Sequence, residues 1–182
     1  MSDQPWRNPR PAPNLPDLQP QLHKFLIPGW IRAWWPALVW AGVIFMLSTD
    51  SFSSEHTASV LSPIIKWIYP ALTEEQFHFI HHLIRKSAHF SEYFVFYLFL
   101  YRGVRGARVG FRWSWGLGAW FLAAVYACLD EVHQAFVASR TASPYDSLLD
   151  SIGALFALLA VCVWFRMRRK ATPVVAATDS SA

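Results

Sequence analysis

The chain has 182 residues, of which 54% are hydrophobic, 16% aromatic and only 15% charged, with a formal net charge of +4. An average soluble domain carries about 25% charge. The composition therefore excludes disorder over most of the chain and argues against an ordinary soluble domain, and the length allows one domain of typical size.

The first 24 residues read as a disordered arm. Seven of the 12 prolines fall within the first 28 residues, and no apolar stretch there could serve as a signal peptide. Ala33 to Thr49 then runs 17 residues without an ionisable group. Ser87 to Tyr101 is equally apolar but holds His89 and Glu92. Trp113 to Leu129 is a second uninterrupted run of 17, and Ser151 to Phe165 gives 15. Crossing about 30 Å of hydrocarbon takes roughly 20 residues at about 1.5 Å each. With their flanks all four runs suffice, and residues 34–47 and 115–128 are apolar all round, as a lipid-facing helix is. The expected architecture is all-α: an integral membrane four-helix bundle with helices at about 31–49, 86–103, 113–136 and 146–166, within a domain of residues 25–170. Residues 171–182 read as a disordered tail.

Basic residues set the orientation. Twelve of the 16 lie before the first run, between the second and third, or after the fourth, and Arg102, Arg105, Arg108 and Arg112 share their connection with no acid. Positive residues stay on the cytoplasmic side. Both termini are therefore expected in the cytoplasm, and the 50–85 and 137–145 connections outside. Topology accounts for the positive charge, so no nucleic-acid partner is needed. Cys128 and Cys162 fall near opposite faces in this arrangement, beyond the reach of a disulfide.

The long outer connection holds an apolar stretch, Val60 to Leu72, broken by Pro63 and Pro70 and too short to span. It is expected at the outer interface. Thr73 and Gln76 have capping-box spacing, and Phe77, Ile80 and Ile84 follow at helical intervals. That amphipathic helix is expected to run into the second span or to pack against its start. His78, His81 and His82 lie on it; a solvated interfacial face accounts for them better than a metal site does.

Ionisable residues inside a span are costly and by default face the bundle interior at a working site. Here they gather at one depth. Lys86, His89 and Tyr93 share a face of the second span, with Glu92 beside His89. Asp130, Glu131, His133 and Gln134 end the third. Asp146 and Asp150 open the fourth, and Arg140 lies between. One reading is structural: Lys86 pairs with Glu92 or Glu131 and Arg140 with Asp146, locking the bundle. The other is chemical. His89, Glu92, Asp130 and Glu131 are the candidate proton-transfer groups. Lys86, Tyr93, Gln134, Arg140, Asp146 and Asp150 are the candidate ligand-binding groups, the two cations suiting an anionic head group. Ser48, Ser87 or Ser91 could complete a Ser–His–Asp set, although no nucleophile elbow exists. No Cys pair or second His-rich motif supports a metal, and the sequence identifies no cofactor. Membrane lipids or a lipid-linked envelope precursor are the expected partners; the oligomeric state is open.

Three blocks resemble the VanZ-like family of small bacterial membrane proteins, named for a teicoplanin-resistance protein. They are the serine-rich stretch from Ser48 to Ser54, the sequence KSAHFSEYF carrying Lys86, His89, Phe90, Glu92 and Tyr93, and the set Asp130, Glu131, Gln134, Phe136, Arg140, Asp146, Asp150 and Gly153. Asp150 stands where the family often has Asn, and Ala157 where a second Gly is common. The resemblance implies four membrane spans in the bacterial inner membrane and a link to glycopeptide resistance for the founding member. It supplies no reaction. Three functions stay open: an enzyme acting on a lipid or lipid-linked envelope substrate at the outer leaflet, a non-enzymatic binding protein, and, less readily with four spans and no inverted repeat, a transporter.

Overall fold

A computed structural model describes residues 28–49, 54–137 and 143–170. The expected arm (1–24), the tail (171–182) and Arg140 lie outside the described residues. Within them the chain is all-α, with five helices: α1 (Gly29–Leu47), α2 (Ser54–Ile68), α3 (Glu74–Arg105), α4 (Trp113–Gln134) and α5 (Pro144–Lys170).

Two of these, Gly29–Leu47 and Pro144–Arg169, are long and apolar enough to cross a membrane by length and composition. The expected second span proves to be the C-terminal part of a longer helix. α3 begins thirteen residues before Ser87, capped as its sequence requires: the Gln76 amide donates to Thr73 Oγ1 (3.3 Å) and the Thr73 amide to Gln76 Oε1 (3.1 Å). No Pro or Gly interrupts the run from Glu74 to Tyr101, so nothing breaks the helix between its amphipathic start and its apolar continuation.

The stretch expected at the interface is also a helix, and it starts earlier than expected, at Ser54. α2 keeps Pro63 in its interior. Val60, Ile64, Trp67 and Ile68 are all exposed and share one face at helical spacing, an apolar stripe without protein cover. Against the bundle, α2 packs mainly on α3. The Thr57 hydroxyl lies 3.2 Å from Nε2 of buried His81. Lys66 pairs with Glu74 at 2.5 Å, which draws the Glu74 carboxyl below its ordinary range.

α3 is the central element, packing against α1, α2, α4 and α5, while α4 and α5 also pack on each other. Small residues make that possible. α4 turns Gly116, Ala119, Ala123 and Ala127 inward on one seam. α5 brings Gly153, Ala154 and Ala157 to the interface, and a Cβ on Gly153 would sit 2.4 Å from the Phe90 carbonyl oxygen of α3. Small residues let the helix backbones approach closely, and interhelical hydrogen bonds add to the packing. Trp40 Nε1 donates to the Glu92 carbonyl (3.0 Å), Trp120 Nε1 to the Ser151 carbonyl (3.0 Å) and Tyr126 OH to the Ala41 carbonyl (2.7 Å), tying α1 to α3, α4 to α5 and α4 to α1. Tyr93, Tyr97 and Leu158 fill the centre. Large apolar side chains such as Leu38, Phe45, Phe121, Leu129, Phe156 and Val163 face outward. Both cysteines are free, as expected.

Candidate functional site

Antiparallel packing brings the C-terminal ends of α1 and α4 beside the N-terminal end of α5 and the middle of α3. Ionisable groups that are far apart in sequence meet there, in three linked clusters.

The first cluster is a buried network. Ser48, just past α1, donates its hydroxyl to Asp130 Oδ2 at 2.8 Å. Gln134, one turn beyond Asp130 on α4, donates to the same oxygen at 3.0 Å. All three residues are buried. The hydroxyl and the amide satisfy a carboxylate that would otherwise be expensive at this depth. His133 does not join them: its ring lies against Phe45, with centroids 4.5 Å apart.

The second cluster joins α3 to α5. Lys86 forms an ion pair with Asp146, not with Glu92 or Glu131 as expected from sequence. The reason is lateral order: α5 packs directly on α3 and brings its first-turn carboxylate to the face that carries Lys86. One turn further on, His89 Nδ1 lies 3.5 Å from Asp150 Oδ1. Neither atom makes a hydrogen bond, although both are buried. Nδ1 is thus turned toward a carboxylate, which leaves Nε2 as the ring nitrogen for a ligand.

The third feature is a cavity of about 170 Å³ between the end of α1, α2 and α3, lined by Ser48, Thr57, Arg85, His89 and Glu92 together with Leu47 and Ala88. At about 30 Å³ per water it holds roughly six. Of the residues singled out in the sequence, His89, Glu92 and Ser48 line it. Arg85 was not singled out in the sequence, because it precedes the apolar run; in the structure its NH1 atom is buried without a hydrogen-bond partner. Thr57 was missed because nothing local marks a threonine in α2 as facing α3.

Two expected residues have other surroundings. Glu131 accepts the backbone N–H of Ser143, immediately before α5, and so caps that helix. Tyr93 is fully buried, packs edge-on against Phe96, and its hydroxyl makes no hydrogen bond. Among the described residues, no group of three or more His, Cys, Asp and Glu side chains is placed to hold a metal ion.

An apolar groove of about 350 Å³ runs between α1 and α4, from Trp34 to Leu129, one residue short of Asp130. At the opposite end of the bundle stand Arg32, Arg102, Arg105, Arg108, Arg112, Arg166, Arg168 and Arg169, with no acid among the described residues there. The two ends therefore differ completely in charge.

A family model, VanZ/LLP1, matches residues 33–166. Comparisons with curated proteins and with solved structures return no match.

Proposed function

Because the chain belongs to the VanZ/LLP1 family, and so is read as a membrane protein, we propose that it spans the bacterial inner membrane four times and takes the anionic head group of a lipid or lipid-linked envelope component at its polar end. In this reading α3 and α4 cross the bilayer beside α1 and α5, both termini are cytoplasmic, and the polar end faces outward. The arginine-only end supports that orientation.

The observation that carries the reading is the cavity between α1, α2 and α3. A guanidinium with a buried, unpartnered nitrogen, an imidazole and two hydroxyl residues converge, beside the Glu92 carboxyl, on a space of about 170 Å³. Arg85 supplies the fixed positive charge for an anion. His89, turned toward Asp150, supplies a group that gives or takes a proton at Nε2. The cavity is too small for a whole lipid, so it receives the charged tip while the chains lie outside in the bilayer. The groove beside α1 offers one apolar track for them. An outward head-group site is also where a change in glycopeptide susceptibility would originate, and an effect on teicoplanin response belongs to this proposal.

A second reading has its own support. The Ser48–Asp130–Gln134 network, the Lys86–Asp146 pair and the Glu131 cap are internally satisfied, as in a lock that holds helices in register. Envelope profiling in cells with and without the gene, complemented by wild type, Arg85→Gln or His89→Gln, separates the readings. A lipid or precursor species that appears or disappears with wild type and not with the variants identifies an enzyme. Unchanged chemistry with altered teicoplanin binding identifies a binding protein. If both variants fold and every profile matches wild type, the cluster is only a lock.

A further inference from the structure

The opposite end of the bundle holds a cavity of about 890 Å³, and the polar site makes no use of it. Arg108, Arg112, Arg166 and Arg169 line it, with Phe111, Trp115 and Phe165 among its walls. We propose that this cavity is a binding site for the phosphate of an anionic phospholipid, separate from the polar end and independent of any function there.

Charge is the first argument. Four guanidinium groups share one space, and no salt bridge involves any of them among the described residues. Every described acid lies at the other end of the bundle or on the outer connection. Like charges around a partly apolar cavity repel unless an anion neutralises them. All four arginines are exposed; the positive-inside rule explains why they lie at this end, but it does not account for the cavity that they surround.

Preorganisation is the second argument. Arg108 is held in place: its Nε donates to the Arg105 carbonyl (2.9 Å) and NH2 to the Val104 carbonyl (2.5 Å). This occupies carbonyls at the end of α3, whose negative dipole would otherwise oppose an anion. The guanidinium carbon of Arg108 lies 4.7 Å from the centroid of Trp115, and that of Arg112 lies 5.4 Å from the same ring. One indole thus carries two cations at the mouth of the cavity. α4 begins at the same place with no side-chain cap and no acid in its first turn, so its positive end is open to an anion.

The walls select the source of the phosphate. A soluble phosphate would be met by polar side chains on all sides. Here the arginines stand among Phe111, Trp113, Trp115 and Phe165, the aromatic belt residues that sit at head-group level and accommodate glycerol and the first methylenes. The volume falls within the 300–1,000 Å³ typical of small-ligand sites. Basic pockets between helices at this level are known anionic-lipid sites.

Native mass spectrometry of the full chain, with delipidated protein titrated with phosphatidylglycerol, phosphatidylcholine or inorganic phosphate, tests this. Phosphatidylglycerol is expected to bind at least tenfold more tightly than phosphatidylcholine, and inorganic phosphate at millimolar concentration is expected to compete weakly. Arg112→Gln/Arg169→Gln removes two lining charges and should weaken phosphatidylglycerol about thirtyfold, at roughly 1 kcal/mol per arginine. Arg102→Gln/Arg168→Gln removes the same charge from the same end outside the cavity and should change binding less than threefold. Equal losses in the two pairs would make the effect a diffuse surface potential and overturn the site. Inorganic phosphate that displaces the lipid stoichiometrically would overturn the lipid assignment. If the first pair does not fold, wild type decides alone: equal affinity for the two lipids refutes the proposal.

Discussion

Replacing Gly153 by alanine tests the packing on which the polar site depends. A Cβ there would lie 2.4 Å from the Phe90 carbonyl oxygen and 3.2 Å from the Phe90 carbonyl carbon and Cα. All three are backbone atoms of a helix interior, so no side chain can swing away. Ordinary contact starts at 3.4 Å, and reaching it requires α3 and α5 to part by about 1 Å locally. Overpacking of this kind costs about 1–3 kcal/mol, offset by the roughly 0.5–1 kcal/mol that alanine gains over glycine in a helix. The net loss is about 0–2.5 kcal/mol, against a gain expected at the control positions. The same separation acts on the site, since His89 adjoins Phe90 and Asp150 lies one turn before Gly153. Their 3.5 Å approach would open toward 4.5 Å, beyond ion-pair reach. Gly42→Ala and Gly118→Ala are the controls, because nothing lies within 4 Å of a Cβ at either position. They should be neutral or stabilising by up to about 1 kcal/mol. Unfolding in mixed micelles titrated with SDS measures all three. A Gly153→Ala protein as stable as Gly118→Ala would refute the close helix contact and, with it, the geometry derived for His89 and Asp150.

Two further outcomes are expected. In a double-mutant cycle with Lys86→Met and Asp146→Asn, each single change should destabilise more than the pair together; a coupling energy of about 1–3 kcal/mol fits a half-buried ion pair, whereas a value near zero would place Lys86 with another partner. His81 is held below its ordinary pKa by burial first and by the Arg85 charge second, with His78 and His82 adding to it. Undocked α2 would expose it and return it toward about 6.5. Protons then bind the undocked form more readily, so α2 docking is unaffected above about pH 6.5 and weakens as pH falls below that value. Spin-label distances between α2 and α3 at pH 7.5 and 5.5 read this directly. A separation that stays constant, or that grows in the His81→Gln protein as it does in wild type, would exclude His81 as the cause.

Much of the architecture is legible from sequence because one-dimensional patterns carry it. The apolar runs mark α1, α4 and α5 to within a few residues and the C-terminal part of α3, whose start Thr73 and Gln76 mark. The arginines mark one end of the bundle and the KSAHFSEYF block the other. Depth is legible too: Lys86, Asp130 and Asp146 meet at one level because antiparallel helices of known length must place them there. Rotation and lateral order are not. Only the packing of α5 directly on α3, forced by Gly153 and the alanines of α4 and α5, gives Lys86 to Asp146 and His89 to Asp150. Only the end of α1 coming to rest beside α4 gives Asp130 the hydroxyl of Ser48. The same packing turns Glu131 to the start of α5, encloses Tyr93, and leaves Arg85 bordering a cavity. Periodicity specifies which residues share a helix face; which helix that face meets depends on contacts between segments up to 86 residues apart, and those exist only once the bundle has closed.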